Sequence, residues 1–539
     1  MPYFGLRGQN LNRATILLVT LPSFMAYGYN QSVAGGLLTL RAFADQFPQM
    51  DTIFTSGAEQ AHNAKIQGTV IALYTVGGMF GAITTSYLGD ILGRRKSIFL
   101  FSLINIVGAV LMASSFSFAQ FIVARIVIGF GTGAISSTVP VWQSELSKSN
   151  NRGAHVATVG IFQSAAGAIG FWIDFAFYFV KNSSVSWRFP LAFQILWTLM
   201  AIAFIYTLPE SPRWLIKIGR IQEAREIMAI LEDTTPDADS IDEDIRSVKN
   251  SLQIAESGTI RDFFTMGKYR VMHRAMLAVL GLFFSQICGI NIITFYATTI
   301  FEQYLNMSPV KSRLLSACME CMQPIGAVFA VFTIDRYGRR PLMLITAVGM
   351  AISMAILAGS TSNSNNTPAL IVAIIFLFVI NFMYCVGFLG CQFLYSSEIS
   401  PLHVRSVVNG LAVGATWGTN FFVAEVTPVG FNNIKWAYYL VWAAINVIII
   451  PVIYFCFPET AGRSLEEIDE IFAQSKSIFD VVGIAETMPY KNVDARKGDI
   501  SDKEAGVLDM HSSASNHEHT AKGVDEKVED IDYQTTQIE

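Results

Sequence analysis

Within stretches that are otherwise apolar, this 539-residue chain places a few side chains able to exchange hydrogen bonds. Gln286 and Asn291 stand five positions apart in FFSQICGINIITFY, about 140° apart around a continuous helix. Trp417 and Asn420 stand three apart in TWGTNFF, which sets an aromatic face beside an amide. Neutral amides donate and accept at once, so they can replace water around a hydroxyl-rich molecule without holding it too tightly. Two acids, Glu320 in ACMECMQP and Glu425 in NFFVAEVTP, also lie inside apolar runs, where a carboxylate is costly and marks a site by default. This is the chemistry of reversible recognition. No catalytic triad, metal-ligand spacing or phosphate loop is present, so neither an enzyme nor a bound metal or cofactor is expected.

The elements that must hold those side chains are membrane helices. With 52% hydrophobic and only 15% charged residues, the chain is too apolar for an ordinary soluble protein, and lipid is its natural solvent. Stretches of about 20 apolar residues, enough to cross a hydrocarbon layer, occur about twelve times. The expected organisation is a cytoplasmic N-terminus (1–14), a six-helix bundle (15–208), a polar cytoplasmic linker (209–274), a second six-helix bundle (275–457) and a cytoplasmic tail (458–539), largely disordered after about 475. Short loops rich in Lys and Arg alternate with loops poor in them, which puts both termini in the cytoplasm. The first apolar run is too long for a cleavable signal peptide and is expected to remain as a span. On the opposite side, Asn182, Asn306 and Asn365 open N-x-[ST] tripeptides; Pro309 disfavours the middle one, leaving Asn182 and Asn365 as glycosylation candidates. All six cysteines fall in apolar segments of the second half and read as small hydrophobes, the CxxC pair Cys318 and Cys321 included. The net charge of −5 comes without a basic patch, so nucleic acid is not an expected partner.

Between the apolar segments, a charged signature is written twice. The first half carries SYLGDILGRRK (Asp90, Arg94, Arg95), SELSKSNNRG (Glu145, Arg152) and PESPRW (Glu210, Arg213). The second repeats the order as TIDRYGRRP (Asp335, Arg339, Arg340), SEISPLHVRS (Glu398, Arg405) and FPETAGRS (Glu459, Arg463), after about 250 residues. Charges clustered where helices leave the membrane can pair, and the arginines are expected to face the acids as a cytoplasmic latch between two bundles. A latch that must break in each cycle has a net strength of only a few kcal/mol.

On these motifs the chain resembles the sugar porter family of the major facilitator superfamily over roughly residues 15–475, and fungal-type sugar and polyol carriers in particular. Further matching segments are ARIVIGFGTG, PVWQSELSKSNNRG, PESPRWL, SQICGIN, WIDFAF, SVSWRFP and FPETAGRSLEEID; GFGTG lies within an apolar span and reads as close helix packing, not a nucleotide loop. The resemblance implies an all-α membrane protein: about twelve transmembrane helices in two pseudo-symmetric six-helix bundles, the major facilitator fold, with a cytoplasmic helical linker. It implies that the segment holding Gln286 and Asn291 contacts sugar hydroxyls, with Ser285 where a Gln is usual, and that Gln323, Trp417 and Asn420 occupy binding positions. Phe393 stands where a Trp is usual, and Gly160 where many members have a sugar-binding Gln, with Gln163 one turn further. Asn30, in YGYNQSVAGG, is a further substrate-binding candidate and matches a position where proton-coupled relatives have an Asp; an amide cannot load and release a proton near neutral pH. Glu320 is the candidate substitute for the missing coupling acid, and Arg125, matching the family's fourth-span Arg, is a coupling candidate that would modulate such an acid or else pair structurally.

The expected function is therefore a plasma-membrane carrier of hexoses, pentoses or small polyols working by alternating access, with uniport favoured over proton symport. An exporter of metabolites or toxic compounds and a transport-inactive nutrient receptor are the alternatives.

Overall fold

The computed structural model describes residues 2–147, 152–181, 183–257, 266–267, 269–363, 366–401 and 404–489, and every regular element among them is a helix. The described residues up to Glu486 form one compact unit. Ten helices are long and apolar enough to cross a membrane, from Gly57–Thr85 to Ala437–Cys456. Two of the twelve expected spans fall outside that set for a physical reason. The first is cut by a π turn at Ile16–Thr20, which leaves Leu21–Leu37 short, and Arg405–Ile434 is diluted by Asn409, Thr416, Thr419, Asn420 and Glu425. Polar residues crowd the spans that have work inside the bundle.

In lipid, helices gain little from burying apolar surface against each other, so close backbone packing must hold them. The GFGTG run does this from within the helix Phe118–Leu146. A Cβ on Gly129 would overlap the Tyr74 carbonyl and one on Gly133 the Gly78 carbonyl, both on the neighbouring helix Gly57–Leu92. Backbone cannot yield as a side chain can. Gly133→Ala is therefore expected to lose about 1–3 kcal/mol, read as a lower unfolding midpoint in detergent; Gly414→Ala, where nothing lies within 4 Å, is expected to lose none.

Three second-half spans are broken near their middles. Val271–Ile287 stops at Cys288 and restarts at Ile290, with Gly289 at φ +99°. Pro309–Glu320 gives way to Met322–Tyr337 at Cys321, just before Pro324, which cannot donate to the helical ladder. Thr367–Tyr384 passes through a π turn, Cys385–Leu389, into Cys391–Ile399. Such breaks are tolerated at membrane depth only where protein or a polar cavity satisfies the freed backbone.

Among the described residues, the stretch between the halves forms the helices Pro212–Lys217, Ile221–Glu232 and Asp239–Ser257, around a small core that includes Trp214, Leu215, Ile227 and Ile241. After the last span, the helix Leu465–Gln474 opens on a capping box between Ser464 and Glu467. Order continues beyond the limit of about 475 expected from composition: Asp480–Thr487 is helical, buries Val481 and Val482, and offers Glu486 to Arg340 at 2.8 Å. Those apolar residues give the segment a face to bury.

Candidate functional site

The helix breaks bring the amides of the second half together. Gln323 Nε2 donates to Glu320 Oε2 (2.7 Å) and Asn381 Oδ1 (2.9 Å), with Thr294 Oγ1 at 3.3 Å. Asn291 Nδ2 donates to Gln286 Oε1 (2.8 Å), and Gln286 Nε2 to the Ser285 hydroxyl (3.2 Å). All of these side chains are buried, yet Glu320 Oε1 and Asn420 Oδ1 have no hydrogen-bond partner. A buried acceptor left open costs free energy unless something donates to it, and a hydroxyl is such a donor.

The first half supplies the other wall. Gln31 Nε2 reaches Asn291 Oδ1 at 3.4 Å, and Gly167 lies against Glu320, so that a Cβ there would come within 3.7 Å of its Oε2. Trp417 lies against Gly78 and beside the rings of Tyr27 (5.8 Å) and Tyr74 (5.9 Å), an aromatic platform shared by both halves. The arrangement offers donors, acceptors and aromatic faces around one junction.

Several residues stand elsewhere than the sequence suggests. Asn30 faces into the first half, where its amide meets Thr132 Oγ1 (3.4 Å) in a chain that continues through Asn105 to Thr198; its neighbour Gln31 faces the second half instead. Arg125 bonds the Ile71 carbonyl (2.9 Å) and lies 5.0 Å from the centre of the Tyr74 ring, away from any carboxylate contact with Glu320. Glu425 does not simply face water: Thr69 of the first half donates to it at 2.8 Å. Phe393 is 41% exposed, whereas adjacent Gln392 is buried. Gly160 faces Leu389 of the second half, and the Gln163 backbone packs on Gly28. All six cysteines are free, and no metal-binding group occurs among the described residues. Asn182 and Asn365 lie outside the described residues. Asn381 and Thr294 join the cluster from outside the expected residues; Asn381 interrupts a strongly apolar run, the one sequence signal that marks it.

The duplicated signature has duplicated geometry. Gly93 (φ +83°) and Gly338 (φ +94°) end one helix and start the next in a backbone region that favours glycine. Arg94 grips Glu145 through Nε and Nη2 (3.0 and 3.1 Å) and Asp90 through Nη1 (3.2 Å); Arg339 grips Glu398 and Asp335 (2.9 Å each). Glu210 accepts the backbone N–H groups of Arg94 and Arg95 (3.1 and 3.2 Å), and Glu459 those of Arg339 and Arg340 (3.0 Å each), placing a carboxylate on each helix N-terminus. Arg95 and Arg340 close each set on the carbonyls of Tyr206 (2.6 Å) and Tyr454 (2.7 Å).

Burial pushes the Glu210 carboxyl above the usual range, and the backbone N–H groups of Ser211 and Arg95 only partly offset it. Burial would also raise Asp90, but Lys217 (2.8 Å) and Arg94 outweigh it and hold that carboxyl low. Every one of these pairs lies within one half or ties it to the linker or tail. The expected latch across the halves is not what they form; they fasten helix ends inside each bundle. Arg405 bonds the Ser400 carbonyl (3.1 Å), Arg213 sits on the linker helix outside these pairs, and the Arg152 side chain is not among those described.

A sequence profile of the family described as "Sugar (and other) transporter" matches residues 15–472. The chain belongs to this sugar-transporter family of the major facilitator superfamily. Among the relatives of this family member is the sugar transporter STL1 of Saccharomyces cerevisiae, 34% identical over 88% of this chain and 83% of that one. The MFS-type transporter oryC of Aspergillus oryzae is 33% identical over 96% of both. In fold, the transporter is similar to the proton:xylose symporter XylE bound to 6-bromo-6-deoxy-D-glucose, with a TM-score of 0.70, 23% identity, and coverage of 86% of this chain and 100% of that one. It is a multi-pass membrane protein with the major facilitator fold, a transporter and not an enzyme.

Proposed function

We propose that the protein carries hexoses, pentoses or small polyols across the plasma membrane, with bundles 15–208 and 275–457 alternating access around the amide cluster and 209–274 linking them. The observation that carries this reading is the convergence of Gln286, Asn291, Glu320, Gln323 and Asn381 at three helix breaks, with Gln31 and the Trp417 platform opposite. Neutral donors and acceptors beside aromatic rings suit a molecule made of hydroxyls and apolar ring faces. The xylose transport named for XylE, the glucose derivative bound to it and the sugar transport named for STL1 agree with that class.

Uniport is the favoured mode, because Asn30 cannot carry a proton and Arg125 is satisfied by backbone carbonyls. Proton symport is the second reading, supported by the open oxygen of Glu320 in the cluster. The test is uptake of labelled glucose, xylose, a disaccharide and glycerol in cells lacking their own sugar carriers, at two external pH values, with and without protonophore. Uptake that equilibrates and ignores the protonophore is expected. Uptake of none of the four would sink the sugar and polyol reading in favour of export or nutrient sensing. Accumulation against a gradient that Glu320→Gln abolishes would replace uniport by symport.

A further inference from the structure

Away from the signature end, the two halves share a buried charged cluster that none of the expected sites includes. Arg313, on the second-half helix Pro309–Glu320, is 2% exposed. Its Nη1 stays with its own half, on Glu302 (3.3 Å) and the Pro309 carbonyl (3.0 Å). Its Nη2 crosses to the first half and donates to Thr39 Oγ1 at 2.5 Å, just beyond the helix Leu21–Leu37. The guanidinium also lies over the ring of Tyr178, 4.2 Å from its centre, at the end of the helix Arg152–Tyr178. One turn before Tyr178 and on the same side of that helix, Asp174 is 2% exposed with no side-chain hydrogen-bond partner on either oxygen. Gly36 makes room for it: a Cβ there would overlap the Asp174 carboxylate.

An unpaired carboxylate and a guanidinium are rarely buried together without use. The division of contacts states the use. Glu302 neutralises Arg313 from within its own half, so the charge can travel with that half, while the Thr39 bond and the Tyr178 ring contact reach across to the other half. We propose that Arg313 is the far-end gate of this transporter, a guanidinium that clasps Thr39 and Tyr178 when that end is closed and lets go when it opens. The proposal rests on the alternating-access reading above.

The test places spin labels at Lys181→Cys and Val310→Cys, both exposed and on opposite halves near the cluster, in the full chain with Cys318, Cys321 and Cys456 replaced by serine. Distances are measured in lipid nanodiscs. In Arg313→Met the population at long distance is expected to rise about fivefold or more, with Arg313→Lys intermediate and Tyr178→Phe, which keeps the ring, unchanged. If Arg313→Met is not monodisperse, Thr39→Val carries the test and is expected to shift the distances the same way. An unchanged distribution in a folded variant that still takes up sugar overturns the gate alone. Distances that never respond to substrate in a chain that transports none of the four sugars and polyols overturn the alternating-access reading itself.

Discussion

Replacing Gln323 by leucine is expected to lower kcat/KM for uptake about 100-fold, the equivalent of roughly 3 kcal/mol. Its single amide nitrogen serves Glu320 and Asn381 at once, so its loss leaves a buried carboxylate oxygen and a buried amide oxygen without a donor. Leucine has a similar volume, so packing is largely kept while the hydrogen bonds are lost. Initial rates over a range of substrate concentrations, corrected for the amount of folded carrier in the membrane, measure the effect. A variant with normal rates and a lowered unfolding midpoint would mean that the cluster only braces the helices, which amides in membrane bundles also do.

Replacing Arg339 by alanine is expected to cost about 3–5 kcal/mol of stability, because a largely buried Glu398 would keep the Thr460 hydroxyl (2.6 Å) and lose its charge partner. Asp335→Ala removes a partner that is 73% exposed and is expected to cost about 1 kcal/mol or less. Unfolding midpoints of the two variants in the same detergent decide between them. Because the pairs fasten helix ends within each half, both effects are expected in stability before they appear in the rate of alternation. Equal midpoints would contradict the assignment of the Arg339 and Glu398 pair as a structural fastener.

Much of the fold was legible because membrane chemistry simplifies the reading. Apolar length decides a span, and a charge repeated in order reveals the second copy. The candidate site was legible in type but less so in membership. Gln286, Asn291 and Gln323 fall in the cluster, yet Asn381, Thr294 and Gln31 belong beside them and Asn30 does not. Asn30 and Gln31 are neighbours in sequence, about 100° apart around a helix. A span that is apolar on nearly all sides has no periodicity to say which of the two faces the other half.

Composition and the order of motifs specify the machine: two related bundles in a membrane, charged at one end, with amides and acids inside. Those properties follow from solvent, and each residue carries its preference for water or lipid wherever the chain goes. Which groups become partners depends on how the helices pack. That packing turned the signature arginines inward upon their own bundles, set Gln323 between Glu320 and Asn381, and brought Arg313 against Thr39 across the far end. Hydrogen bonds and ion pairs form over a few ångströms, and which helices approach that closely is a property of their packing, held here by glycines such as Gly133 against Gly78.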